Sequence, residues 1–228
     1  KQWLTDSRAY RGVLVCAVIL LLPSVFTGLS ADDYCLRAIT LQDHAVPKLP
    51  DSPLDAFAFV RNDAEGLRQR VEMGLLPWWA HPQIRIAFMR PLSALTHWFD
   101  FHYFPDAPWL MHVHNIVWYG IVGLIVLLLY RRFFAAYWVA PISKTGCIQA
   151  AGIAALLYVM DDARGLGVGW ISNRNASIAA TGALAALLLH DRWRQHGWRP
   201  GAFLAPLCLA LGLLGGESAL AVFGYLVA

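Results

Sequence analysis

Long apolar runs separated by short polar or basic stretches organise this chain, at roughly residues 12–29, 109–130, 148–160, 171–190 and 202–228. A helix needs about 20 apolar residues to cross a bilayer, a length most of these runs approach or exceed. The pattern predicts an all-α polytopic bundle of about five transmembrane helices in one domain, with the run at 148–160 short enough to be tilted or extended. The segment 30–108 is far longer than an ordinary connection, so it is expected to carry structure of its own. Within it, Asp32 to Asp51 is polar, with Pro47 and Pro50. Asp51-Ser52-Pro53 supplies a helix start, and an amphipathic run continues to about Met73, where Gly74 and Pro77 stop it. A second helical stretch, Pro91 to Phe104, carries Trp98, Phe99, Phe101, Tyr103 and Phe104. Rings of this kind favour the headgroup level, which puts this helix along the outer membrane surface or against the bundle rim. Plain packing accounts for the aromatics equally well.

Composition and charge agree with a membrane protein. Hydrophobic residues make up 58% of the chain and charged ones only 14%, a balance that soluble domains seldom show. The net charge of +3 is scattered and contains no basic run that would mark a nucleic-acid partner. Lys1, Arg8 and Arg11 precede the first run, Arg131, Arg132 and Lys144 follow the second, and Arg192, Arg194 and Arg199 follow the fourth. The Lys/Arg bias therefore puts these clusters and the N-terminus in the cytoplasm, and residues 30–108 and 161–175 outside it. A bacterial cytoplasmic membrane is the preferred location; an endoplasmic reticulum membrane follows the same logic. The competing reading of the first run is a cleavable signal peptide ending at Gly28, Ser30 and Ala31, but its length and the later runs favour an anchor. Cys35 is the one cysteine clearly in the large loop, so no disulfide framework is expected.

The candidate chemistry gathers at the outer side. Asp32 and Asp33 leave the first apolar run together, and ionisable groups beside lipid are costly enough to suggest a site. A solvated turn or a helix cap is the plainer alternative. Glu217 stands amid Leu, Ala and Phe in the last run, where a carboxylate needs a cation or a wet cavity; Arg90 and Arg174 are its candidate partners. His81, His97, His102, His112 and His114 lie on or near the same side, which makes a divalent metal conceivable, although their spacing fits no strong ligand pattern. The small residues Ala176, Ala179, Ala180, Gly182, Ala183 and Ala185, with Gly212, Gly215 and Gly216, predict closely approaching helices.

These stretches, in this order, resemble the GT-C superfamily of membrane-embedded glycosyltransferases, in particular its protein O-mannosyltransferase-like branch. Ala31-Asp32-Asp33-Tyr34 resembles the acidic motif after the first helix, and Phe88-Met89-Arg90-Pro91-Leu92 resembles an Arg-Pro-Leu signature. His112 and Asn115, with Leu127-Leu128-Leu129-Tyr130-Arg131-Arg132, look like the His-x-x-Asn start and basic end of the next span. Trp170-Ile171-Ser172-Asn173-Arg174 is similar to a Trp-Ile-Ser-x-Arg segment, and Gly216-Glu217-Ser218 is similar to a Lys-Glu site. Where relatives often have His-Pro-x-His-x-Glu, this chain has Met160-Asp161-Asp162-Ala163-Arg164-Gly165. The resemblance implies transfer of a sugar from a polyprenyl phosphate to a protein, lipid or glycan acceptor, with inversion and with Asp32 as general base beside Asp33. It further implies that Arg90, His112, Asn115, Trp170, Arg174 and Glu217 contribute to substrate binding, that no cofactor is certain beyond a possible divalent metal ion, and that this chain is the N-terminal part of a longer protein.

Two other classes fit a polytopic chain. A transporter would depend on Glu217, with the Asp161-Asp162 pair at an outer rim, but the sequence shows neither internal repeats nor broken helices. A non-catalytic assembly subunit would use the outer loop only to hold a partner and would tolerate loss of Asp32, Asp33 and Glu217.

Overall fold

The computed structural model describes residues 8–43, 49–50, 52–60, 63–74, 76–137, 143–161 and 167–227. Lys1, Pro47, Asp51 and the stretch 162–165 lie outside them. The described residues are mostly helical, with one small pair of strands.

The bundle is formed by α1 (Arg8–Leu21), α5 (Pro108–Tyr137), α6 (Lys144–Met160), α7 (Arg174–His196) and α8 (Gly201–Gly215). At about 1.5 Å per residue, α5 is roughly 45 Å long and α7 roughly 35 Å. Contacts set the directions. A Cβ on Gly120 would meet Leu14 and one on Gly123 would meet Val13, so α1 runs antiparallel to α5. The Tyr119 hydroxyl donates to Val159 O, at the far end of α6, which makes α6 antiparallel to α5 as well. Asn115 lies beside Arg174 and Arg132 beside Asp191, so α7 runs parallel to α5. Gly182 lies against Gly212, and Gly201 against Leu189, so α8 returns antiparallel to α7. The start of α1, the end of α5, the start of α6 and the turn between α7 and α8 therefore share one end of the bundle. That end carries the basic clusters, and segment 30–108 caps the other.

Small residues explain the tightest packing. A Cβ on Gly182 would lie 2.4 Å from Gly212 Cα, and one on Gly215 would lie 2.5 Å from Ile178 Cγ2. With Ala179, Ala183 and Ala186 buried beside Leu209, the α7 and α8 backbones nearly touch, as small-residue stripes allow. A second core joins Val13, Ala17 and Leu21 of α1 to Ile116, Tyr119 and Leu127 of α5 and to Ala155 and Val159 of α6.

The cap contains α2 (Asp32–Leu41), β1 (Ala58–Val60), α3 (Ala64–Glu72), β2 (Ile86–Ala87) and α4 (Pro91–Tyr103). Strands β1 and β2 pair antiparallel. Leu36 and Ile39 of α2, Phe57, Phe101 of α4, Met111 of α5 and Ile171 form its core. The aromatic helix is thus α4, and it docks on the bundle end through Ser93, Ala94, His97, Asp100 and Phe101. Leu95, Phe99 and Tyr103 stay exposed on its other face.

The sequence reading is corrected in three places. Residues 32–41, expected only as polar chain, form α2, because Leu36 and Ile39 give them one apolar face. The single run expected from Ser52 to Met73 is a 3-10 turn at Pro53–Asp55, then β1, then α3; Ala56, Phe57 and Ala58 are all buried, which suits a strand edge better than one face of a helix. The run 202–228 is not one helix. It breaks at Gly216 and resumes as a 3-10 turn, Glu217–Val222, followed by α9 (Phe223–Val227). Among the described residues one helix, Pro108–Ala136, is long and apolar enough to cross a membrane, and Gly12–Phe26, Thr145–Met160 and Gly201–Gly215 are shorter apolar helices.

Candidate active site at the capped end of the bundle

Asp32 and Asp33 occupy the first turn of α2, where the unpaired backbone N–H groups and helix dipole favour negative charge. Successive residues on a helix point about 100° apart, so the two carboxylates diverge. Asp33 turns inward and is fully buried. Its Oδ2 accepts from Ser30 N (2.9 Å) and Ser30 Oγ (3.3 Å), and its Oδ1 accepts from Ser172 N (2.7 Å) and Ser172 Oγ (2.5 Å). It ties the start of α2 to the turn that opens α7. Asp32 faces outward, exposed, at the junction of two clefts.

The smaller cleft, about 80 Å³, is lined by Asp32, Phe57, Arg90, Trp170, Ser172 and Asn175 among others. The larger, about 500 Å³, runs from Asp32 past Ala38, Ile39, Val60, Ile86 and Phe88, and is mainly apolar with Arg70 on its wall. Arg70 Nη1 also donates to Phe59 O, which fixes that side chain against β1.

Arg90, just before Pro91 opens α4, is mostly buried and held on every side. Its Nε donates to Glu217 Oε2 (2.9 Å) and its Nη2 to Glu217 Oε1, a bidentate pair of the kind arginine forms well. The Asn175 amide satisfies both of its ends when its nitrogen donates to Ser172 O (3.0 Å) and its oxygen accepts from Arg90 Nη1 (3.1 Å). The guanidinium carbon lies 4.4 Å from the Phe88 ring centroid and 5.2 Å from that of Phe57. Glu217 is therefore not a mid-helix carboxylate among apolar side chains. It stands at the helix break, half exposed, and of its two expected partners takes Arg90.

Arg174 belongs to the interior. It is 1% exposed, and donates from Nε to Asn115 Oδ1 (2.6 Å), from Nη1 to Thr96 O (3.3 Å) and from Nη2 to Met111 O (3.1 Å), while Nη2 also pairs with Asp100 Oδ2 at 2.5 Å. Asn115 Nδ2 donates to Val168 O and Trp170 O (3.0 and 3.1 Å), and His112 Nε2 lies 2.9 Å from Gly28 O. Arg174 and Asn115, so engaged, join the cap to the bundle, as does His112 through Nε2, its Nδ1 being buried without a hydrogen-bond partner; none of the three lines either cleft beside Asp32. Trp170 does line the small cleft, and its indole Nε1 is buried without a hydrogen-bond partner.

Next to this network, Trp118 Nε1 donates to His114 Nε2 (3.1 Å). His114 Nδ1 in turn lies 3.0 Å from Asp100 Oδ1. His97 is fully buried on Phe57, with both ring nitrogens unpartnered. Burial, followed by the charges of Arg174 and His114, pushes its pKa well below the usual histidine value. Among the described residues no group of His, Cys, Asp and Glu is placed to hold a metal ion.

Sequence reasoning named Ser172 only as part of the Trp170–Arg174 segment, with no role of its own, and missed Asn175, Phe57 and Asp100. Asn175 sits next to Arg174; Phe57 and Asp100 carried no local signal. Compared with known proteins, the chain matches no family model, no curated protein and no solved structure.

Proposed function

We propose that this protein is a membrane glycosyltransferase that moves a sugar from a polyprenyl-phosphate donor to an acceptor hydroxyl at the capped, extracytoplasmic end of its helix bundle. The observation that carries the reading is the division of labour in the Asp pair: Asp33 is buried and fully hydrogen-bonded, whereas Asp32 is exposed where a polar niche meets an apolar groove. In the reaction the acceptor oxygen bonds to the anomeric carbon as the bond from that carbon to the phosphate oxygen breaks, with inversion. Asp32 takes the acceptor proton as general base. Charge grows on the departing phosphate, and Arg90, held at the niche wall, supplies the opposing charge. The Trp170 indole N–H offers a donor to a sugar or phosphate oxygen, and the groove along Ile39, Val60, Ile86 and Phe88 suits an isoprenoid chain.

Insertion in a membrane, with the basic end in the cytoplasm and about five spans, is part of the proposal. Its support is a belt of exposed apolar side chains around the bundle: Val15, Ile19, Val117, Leu157, Phe203 and Leu207. Helices that are apolar on both inner and outer faces belong to such an environment.

Membranes holding the full-length protein, incubated with labelled polyprenyl-phosphate sugars, test the reading. Asp32→Asn is expected to lower transfer at least ~100-fold at unchanged protein level, the scale of general-base loss. Undiminished transfer by Asp32→Asn, or no transfer by wild type over a panel of donors, would overturn it. The helix break at Gly216 beside Glu217 favours a transporter as the second reading; there Glu217→Gln would abolish uptake and Asp32→Asn would not.

A further inference from the structure

Trp170 stands in extended backbone just before the 3-10 turn Ile171–Asn173, and the chain around it is clamped. Its carbonyl accepts from Asn115 Nδ2 (3.1 Å) and from Asn173 N (3.1 Å), while Ser172 N donates to Asp33 Oδ1 (2.7 Å). These bonds hold the turn against the start of α2 and put the indole and Asp32 on the wall of one small cleft. Of the buried side-chain nitrogen and oxygen atoms without a hydrogen-bond partner among the described residues, only Trp170 Nε1 belongs to a residue lining either cleft beside Asp32. A buried donor left unmatched is costly and calls for a reason. The other side-chain nitrogens on this wall are engaged: Asn173 Nδ2 donates to Gly167 O (2.9 Å), Asn175 bridges Ser172 O and Arg90, and Arg90 also holds Glu217.

We infer that the small cleft is a sugar subsite in which the Trp170 indole N–H donates to one hydroxyl of the transferred sugar, which makes Trp170 a specificity-determining residue for the donor; the inference rests on the glycosyl-transfer reading above and refines it. The occupant follows from the wall. A hydroxyl oxygen accepts from a neutral N–H and tolerates a carboxylate beside it, whereas a phosphate oxygen is repelled by Asp32 and is better met by Arg90. At about 80 Å³ the cleft is far below the roughly 300 Å³ of a small-molecule pocket, so it admits one edge of a sugar ring while the rest lies toward the larger cleft, which Asp32 also lines. Phe57 and Phe59 give that edge an aromatic wall. A buried donor on a fixed turn rejects an analogue that brings nothing to accept its hydrogen.

The test pairs variants of the protein with variants of the sugar. Membranes holding the full-length protein are offered labelled polyprenyl-phosphate hexoses and pentoses and, for the sugar transferred fastest, each of its singly deoxygenated analogues. With wild type, one analogue is expected to lose about tenfold or more in kcat/KM, the scale of a hydrogen bond withheld from a buried donor. Trp170→Phe is expected to lower the parent sugar by about the same factor and that analogue no further, so that the two losses do not multiply. Benzothienylalanine in place of Trp170 removes the N–H while keeping the shape of the ring, and the same pattern is expected there, which separates the lost bond from lost packing. Losses by variant and analogue that multiply at every position, or a benzothienylalanine protein that handles every donor as wild type does, would overturn the subsite and leave the transfer reading standing. No transfer by wild type from any of these donors would overturn the transfer reading and the subsite with it.

Discussion

Replacing Asp33 with alanine should cost far more stability than any change at Asp32, although the residues are adjacent. The carboxylate at 33 accepts four hydrogen bonds, two from Ser30 and two from Ser172. Ser30 is exposed, so water replaces most of what it loses. Ser172 is 6% exposed, and its N–H is left without an acceptor in the interior. An unsatisfied buried donor costs about 1–3 kcal/mol, and a hydrogen bond to a charged group contributes about 1.5–3 kcal/mol. Loss of the charge at the helix start adds roughly 0.5 kcal/mol. The sum for Asp33→Ala is about 3–6.5 kcal/mol. Asp33→Asn keeps one oxygen for Ser172 but faces a side-chain N–H2 toward the Ser30 N–H, for about 1–2 kcal/mol. Asp32→Asn, at an exposed position, should stay within about 0.5 kcal/mol. Unfolding of the purified protein by increasing fractions of a denaturing detergent, followed by tryptophan fluorescence, gives the order. Asp33→Ala within about 0.5 kcal/mol of wild type, or Asp32→Asn the more damaging, would refute the assignment of Asp33 as the structural member of the pair.

Two further outcomes follow from the packing. Gly182→Ala puts a methyl group 2.4 Å from Gly212 Cα, backbone that cannot rotate away, so it should destabilise by about 2–3 kcal/mol in the same detergent titration; at Gly197, where a Cβ meets nothing within 4 Å but φ is +62°, alanine should cost only about 1 kcal/mol. His97 is held neutral in the folded state by burial and by the charges of Arg174 and His114, whereas the unfolded chain binds a proton below about pH 6.5; its contribution is therefore intact above that pH and falls as pH drops below it, by up to about 1.4 kcal/mol per unit until the lower folded value is reached. His97→Phe should flatten that slope between pH 6.5 and 5, and an unchanged slope would point to a different acid-sensitive group.

How much of this was legible in the chain depended on the distance over which each signal acts. The helices of the bundle announced themselves, because apolar runs and small-residue stripes are local and repetitive. The placing of the basic clusters at one end followed from counting alternate loops, and the packing directions of α1, α5, α6, α7 and α8 agree with it. The β1–β2 pair was invisible, since strands of three and two residues carry too short a pattern and owe their existence to the cap core formed around Phe57. The break at Gly216 had a signal in the consecutive glycines at 215 and 216, which reads as small-residue packing and as a helix stop at the same time. Packing was the reading chosen, and Gly215 does serve it; the stop was missed.

The two arginines show where sequence reasoning ends. Arg90 and Arg174 were equal candidates to meet Glu217 and an anionic substrate, since charge and side chain are the same. Their fates are decided by partners 59 to 127 residues away. Arg174 is enclosed by Asp100, Asn115 and two carbonyl groups, is 1% exposed and presents no donor to either cleft. Arg90 spends one edge on Glu217 and one nitrogen on Asn175, yet its position in the wall of the cleft that holds Asp32 keeps its charge within the niche. The same comparison separates Asp33 from Asp32 and His112 from Trp170: in each case one member is consumed by holding the cap onto the bundle, and the other is left lining the cleft. In the proposed enzyme the working half of the site is therefore the half that the fold does not use for itself, and partner geometry, not residue type, tells the two apart.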